Sequence, residues 1–280
     1  MRLATFAVDH RPSAAVLDAD AGTWRDLGQP LEQLLRDGTL DAAVEAAAAV
    51  DAPSVPPHAR RLAPLVPRAI VAVGLNYRSH AAESGFPLPE QPLLFGKLPG
   101  TVVGSDAPVE IDPGLMRFVD WEVELAAVIG RTVRDVAQED ALDHVLGWTV
   151  ANDVSARDVQ HADTQWLRGK SFDTFCPLGP ELVTTDELGD PQRLALWTEV
   201  GGERVQGGTT ADMVFGVAEL IAWCSRQFTL HPGDLLLTGT PAGVGIGFRP
   251  PRSLSPGDVV TCGVEGIGEL VNPVIERRSS

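Results

Sequence analysis

Asp120, Trp121, Glu122, Val123, Glu124 and Leu125 run straight into an apolar stretch, Ala126 to Gly130. On a strand, side chains at i and i+2 leave the same face about 6.6 Å apart along the backbone, so Glu122 and Glu124 point together while Trp121, Val123 and Leu125 point the other way. Two neighbouring carboxylates repel, and their burial is strongly unfavourable unless a cation or basic partners lie between them. A hard divalent cation accepts such oxygens readily. A solvated strand face would show the same Glu-x-Glu pattern.

Four further segments carry chemistry-bearing residues. Asp153 follows the strand-like LGWTVA, where it could complete an oxygen-rich site for Mg2+ or Mn2+, or cap a turn with Asn152 while Arg157 pairs with Asp158. In NYRSHAAESG, a helical turn puts His80 and Glu83 at i and i+3 on one face. There the carboxylate can orient the imidazole for taking a proton from water, and flanking Gly74 and Gly85 could let the segment move as a lid. A surface His beside a Glu is the plainer alternative. Lys170, set among aromatic and small residues in RGKSF, could neutralise a substrate carboxylate or polarise a carbonyl, or could lie along Phe172. In LTGTPAGVG, glycines including Gly239 could bring backbone N–H groups to an anion beside the Thr240 hydroxyl. The spacing is wrong for a dinucleotide fingerprint and no P-loop lysine follows.

The elements that must position these residues are mostly strands. AIVAVGL, WEVELAAVIG, LGWTVANDV, LALWTEVGG, GDLLLTGT and GDVVTCGVEGIGELVNPVI all carry apolar runs or alternation bounded by Gly, Pro and Asp. TADMVFGVAELIAWCSRQF has helical spacing and predicts an amphipathic helix. Residues 1–65 read as a small N-terminal domain and linker, with a helical, alanine-rich LEQLLRDGTLDAAVEAAAAV followed by proline-rich sequence, and residues 66–280 read as the main domain. Strands and helices do not alternate regularly, so the expected class is α+β, predominantly β, and not a doubly wound parallel sheet.

The formal net charge is −16, and no Lys/Arg run forms a nucleic-acid footprint. An anionic substrate therefore needs a bound cation or convergent basic residues to hold it. The N-terminus has no uninterrupted apolar h-region, and no run of roughly 18 uncharged apolar residues occurs, so a cytoplasmic protein with no membrane partner is expected. Cys176, Cys224 and Cys262 are odd in number and widely separated, which predicts buried reduced thiols.

Taken in order, VGLNYRSHAAESG, LFGKLPGTVVG, DWEVELAAVIG, NDVSARDVQ, GKSF, TADMVFGVAELIAW, PGDLLLTGTPAGVG and GDVV resemble the fumarylacetoacetate hydrolase superfamily over residues 69–275. The likeness is to its small domain-containing members and to bacterial dioate isomerase/hydratase relatives. The resemblance implies a mixed β-sandwich roll with a small N-terminal domain, a homodimer, and Mg2+ or Mn2+ (Ca2+ as a crystallographic stand-in) held by Glu122, Glu124 and Asp153. It also implies a mobile lid bearing the His80 and Glu83 dyad, with Lys170 at the substrate carboxylate or carbonyl and Arg157, Gln160 and Thr240 among the substrate contacts. The implied activity is metal-dependent C–C cleavage of a small 2-oxo or β-diketo acid, of acylpyruvate or fumarylpyruvate type or by oxaloacetate decarboxylation. Isomerisation or hydration of a 2-oxo-hept-ene-dioate intermediate of aromatic catabolism is the alternative, and a catalytically silent metal- or ligand-binding homologue is a third reading.

Overall fold

The strand Val123–Ile129 is buried along its whole length, which explains why its sequence is a continuous apolar run where a half-exposed strand would alternate. The structure, a computed structural model, describes residues 1–48 and 53–277. Val123–Ile129 pairs antiparallel with Val145–Asn152 on one side and with Leu235–Leu237 on the other. Among the described residues these lie centrally in an eleven-stranded mixed sheet. Its main path runs Thr23–Asp26, Arg11–Asp18, Arg2–Val8, Cys176–Thr184, Val145–Asn152, Val123–Ile129, Leu235–Leu237, Ile70–Gly74, Leu93–Lys97.

A second, five-stranded sheet is ordered Glu203–Thr209, Ala195–Val200, Val259–Val264, Gly268–Glu276, Val109–Ile111. Val123, Leu125 and Ala127 pack with Leu196, Val260 and Val264 from this second sheet in one apolar core. On the opposite face Ala126 and Val128 pack against Leu31, Leu34 and Leu35. The period-2 alternation of the central strand thus serves two cores, and Glu122 and Glu124 belong by parity to the face of Ala126 and Val128. The α+β, predominantly β class read from the sequence and the mixed sandwich implied by the family resemblance both stand.

The N-terminal segment continues this sheet, because Arg2–Val8 pairs with Cys176–Thr184, while Phe6 and Ala15 form a small apolar cluster of their own. Its expected single helical stretch is two helices, Leu31–Asp37 and Leu40–Ala47, separated where Gly38 takes a left-handed φ of 68°. The last two residues of that stretch, 49 and 50, lie outside the described residues.

The amphipathic helix predicted from Thr210 onward spans only Val217–Gln227. The physical reason lies 139 residues upstream of Phe215: the Asn76 side chain accepts from Phe215 N–H (2.9 Å) and donates to Phe215 O (3.1 Å), while Asn76 O accepts from Val214 N–H (2.7 Å). These bonds commit the backbone at residues 214 and 215 to Asn76, so only a short 3-10 turn, Thr210–Asp212, forms where the local apolar spacing favours a continuous helix. All three cysteines are buried free thiols, as expected from their number and spacing, and burial raises each to about 12. No described helix is long and apolar enough to cross a membrane.

Candidate metal centre and active site

The antiparallel register builds the carboxylate cluster. Val123 stands opposite Asn152 and Glu124 opposite Ala151, and the ladder continues one step further as Asp153 N–H donates to Glu122 O at 2.9 Å. Asp153 therefore falls beside Glu122 on the same face. One carboxylate oxygen from each of Glu122, Glu124 and Asp153 lies within 4.8 Å of the others, and all three residues are buried. Asn152 does not cap a turn: its Oδ1 accepts from Glu122 N–H at 3.0 Å and fixes the strand end.

Basic groups converge on two of the three carboxylates. Lys170 Nζ lies 2.7 Å from Glu122 Oε2 and 2.6 Å from Asp153 Oδ2, and Lys97 Nζ lies 2.6 Å from Asp153 Oδ1. Arg157 bridges Glu122 Oε1 (2.6 Å) and Asp120 Oδ2 (2.8 Å). Burial would raise the Glu122 carboxyl, but Lys170 and Arg157 outweigh it and hold the group far below its ordinary range. Lys170 is raised, because Asp153 and Glu122 outweigh the opposing effect of its burial.

Glu124 is different. Among the described residues no basic side chain pairs with it, and its Oε2 accepts only a backbone N–H, from Gly239 at 2.7 Å. Burial, then Asp153 and Glu122, push it well above the ordinary carboxylate range. Three buried carboxylates with one left uncompensated form an all-oxygen donor set that fits a hard divalent cation of the Mg2+ or Mn2+ kind. Gly239 has a φ of +97°, and a Cβ there would lie 2.8 Å from that of Asn76, so only glycine turns the chain to deliver this N–H. The amide expected to bind an anion is thus placed on a carboxylate of the cluster.

His80 and Glu83 sit on the short helix Arg78–Ser84. Glu83 accepts from Gly243 N–H at 3.0 and 3.1 Å, which docks the helix on the glycine-rich loop. His80 Nδ1 is buried without a hydrogen-bond partner, 3.6 Å from Glu83 Oε2. Pairs of this kind tighten when substrate fills a site. Partial burial raises Glu83, but His80 and the Gly243 N–H outweigh it, and the net shift is downward.

One cavity of about 430 Å³ joins His80, Glu122, Glu124, Lys170, Gln160 and Thr240. Gln160 accepts from Arg157 at 3.1 Å, and Thr240 accepts from Gln206 at 2.9 Å. Arg157 also borders the cavity, with its guanidinium committed to Asp120 and Glu122; Asp158, its suggested neighbour, instead accepts from the Arg117 and Phe118 N–H groups. Lys170 Nζ lies 5.0 Å above the Phe95 ring and does not follow Phe172.

Three residues the motif reading passed over are built into the site. Lys97, the lone charge ending an apolar strand, is one. Asp120 is another, accepting from Gly245 N–H (2.6 Å), Ile246 N–H (3.1 Å) and Arg157. The two-residue period that pairs Glu122 with Glu124 extends to Asp120 and could have found it. Gln206 is the third, tying Thr240 and Pro241 to the Val123 N–H.

The family model for the C-terminal domain of fumarylacetoacetate (FAA) hydrolase matches residues 69–275. Over 217 residues the chain is 49% identical to an oxaloacetate tautomerase of Xenopus laevis, fahd2, covering 76% of this chain and 68% of that protein. Among solved structures, 5-carboxymethyl-2-hydroxymuconate delta-isomerase from Mycobacterium smegmatis is 36% identical with a TM-score of 0.81, and all of each chain is covered. Maleylpyruvate hydrolase from Sphingobium sp. SYK-6, solved with manganese(II) and pyruvate, is 30% identical with a TM-score of 0.80, covering 99% of this chain and all of that one. A match over most of the chain, together with a buried acidic cluster opening on a cavity, makes this protein a member of the fumarylacetoacetate hydrolase family.

Proposed function

We propose that the protein is a metal-dependent hydrolase that cleaves a C–C bond in a small 2,4-dioxo acid of the acylpyruvate type. The observation that carries this reading is that the Glu122, Glu124 and Asp153 cluster, the His80 and Glu83 pair and Lys170 gather around one cavity. Glu122, Glu124 and Asp153 would hold a divalent cation, which when bound would supply Lewis acidity to the substrate's oxo acid group. His80, oriented by Glu83, takes a proton from water as the water oxygen bonds to the C4 carbonyl carbon. The C3–C4 bond then breaks and its electron pair stays on C3, which gains a proton to give pyruvate, while the acyl fragment leaves as a carboxylic acid. Lys170 offsets the negative charge that develops during this transfer.

Tautomerisation is a second reading, favoured by the 49% identity to an oxaloacetate tautomerase. The same His80 would then move a proton between carbon and oxygen with no water attack, and decarboxylation likewise needs none. Proton NMR of the reaction with an acylpyruvate and with oxaloacetate separates these outcomes. Hydrolysis gives pyruvate and a second acid in equal amounts; keto–enol interconversion alone, or CO2 release alone, would replace this proposal.

A further inference from the structure

The cavity has two chemically different ends. The buried Glu122, Glu124 and Lys170 occupy the inner end, Phe95 lies at the junction with its ring centroid 5.0 Å from Lys170 Nζ, and the more exposed Leu75, Phe86, Leu93 and Trp166 line the outer end. This outer wall is built into the fold. Trp166 meets Phe95 edge-on with ring centroids 5.3 Å apart, and it packs so closely on Gly74 that a Cβ there would lie 2.6 Å from the indole. Phe86 and Leu93 remain 59% and 41% exposed, so apolar surface faces the cavity mouth with nothing of this chain covering it.

Resting on the reading of the inner end given above, we infer that the far end of the substrate is an uncharged apolar or aromatic group, and not a second carboxylate. A distal carboxylate leaving water needs a cation. Among the described residues, the Lys and Arg side chains on this cavity are Arg157 and Lys170, and both are committed to Asp120, Glu122 and Asp153 at the inner end. On the rim, Asp163 brings another negative charge, itself held by Arg168 at 2.6 and 2.8 Å, and His161 is exposed to solvent. A flat apolar group, by contrast, finds aromatic and apolar surface on the wall of the same cavity.

The test is calorimetric binding of two 2-oxo acids that carry no cleavable 2,4-dioxo bond, 2-oxo-4-phenylbutanoate and 2-oxoglutarate, to the Mn2+-loaded protein, with pyruvate as the tail-less reference. The phenyl compound is expected to bind at least tenfold more tightly than 2-oxoglutarate. Trp166→Ala should remove most of that ratio, and Leu93→Arg, at a partly exposed position that tolerates charge, should shift it toward 2-oxoglutarate. Equal or tighter binding of 2-oxoglutarate by the native protein overturns the inference, as does a preference indifferent to both substitutions. Neither probe is cleaved, so a preference for the phenyl compound stands even where acylpyruvates prove not to be hydrolysed. Failure of pyruvate and both probes to bind overturns the inner-end assignment and the inference with it.

Discussion

At the residue scale the site is a charge ledger. Lys97, Lys170 and Arg157 answer Asp120, Glu122 and Asp153, and among the described residues Glu124 has no basic partner, which is why it is proposed to meet a cation. Removing one partner of a buried ion pair strands the other, at a cost of about 3–5 kcal/mol. Lys97→Met should therefore lower the unfolding free energy by about that amount, read by denaturant titration; a loss within the few tenths typical of surface changes would contradict its burial role. His80→Ala should lower turnover by about 10² to 10⁴-fold, the usual contribution of a general base, while sparing metal binding. Retention of the full hydrolytic rate would sink the proposed dyad. Glu83 titrates below its ordinary value of 4.5, so its docking on Gly243 is fully present above that pH and is lost as pH falls through the lowered value. Hydrogen exchange at residues 78–85 should stay slow from neutrality down to about that ordinary value and quicken below it; quickening near neutrality would contradict the docking.

At the element scale one strand ladder and one loop align everything. Asp120 ties the loop at Gly245 and Ile246 to Arg157, and Glu83 docks on the same loop at Gly243. Asp120→Asn should accordingly lower kcat at least tenfold while leaving Mn2+ affinity within about threefold, since no cluster carboxylate is removed. A large loss of metal affinity with unchanged kcat would refute this division of labour. Glu122, Glu124 and Asp153 were legible in the sequence because strand parity and strand-end position are local properties. Lys97 and Gln206 act through partners tens of residues away that no local period marks, whereas Asp120 lies on the same two-residue period as Glu122 and Glu124. The same physics shortened the predicted helix to Val217–Gln227: Asn76 outbids local spacing by binding the backbone at residues 214 and 215. The break at Gly38, by contrast, carried its own signal in the Asp-Gly pair that ends the first helix.

At the scale of the whole molecule, the net charge of −16 surrounds a site proposed to take an anion. Screening by salt weakens that repulsion, so kcat/KM should rise by about two- to fivefold as ionic strength increases from about 10 to 150 mM. A fall would show that local cations at the cavity dominate capture. The homodimer implied by the family resemblance remains a proposal, to which exposed apolar side chains such as Leu98 and Leu115 lend support. Sedimentation should return twice the chain's 29.8 kDa. The measurement closest to the central claim is turnover of an acylpyruvate by chelator-treated protein titrated with Mn2+, run beside Glu124→Gln. No pyruvate is expected without metal, with full rate near one Mn2+ per chain and at least a tenfold weaker metal midpoint in the variant. Undiminished cleavage by metal-free protein, or identical midpoints for the two proteins, would contradict that claim.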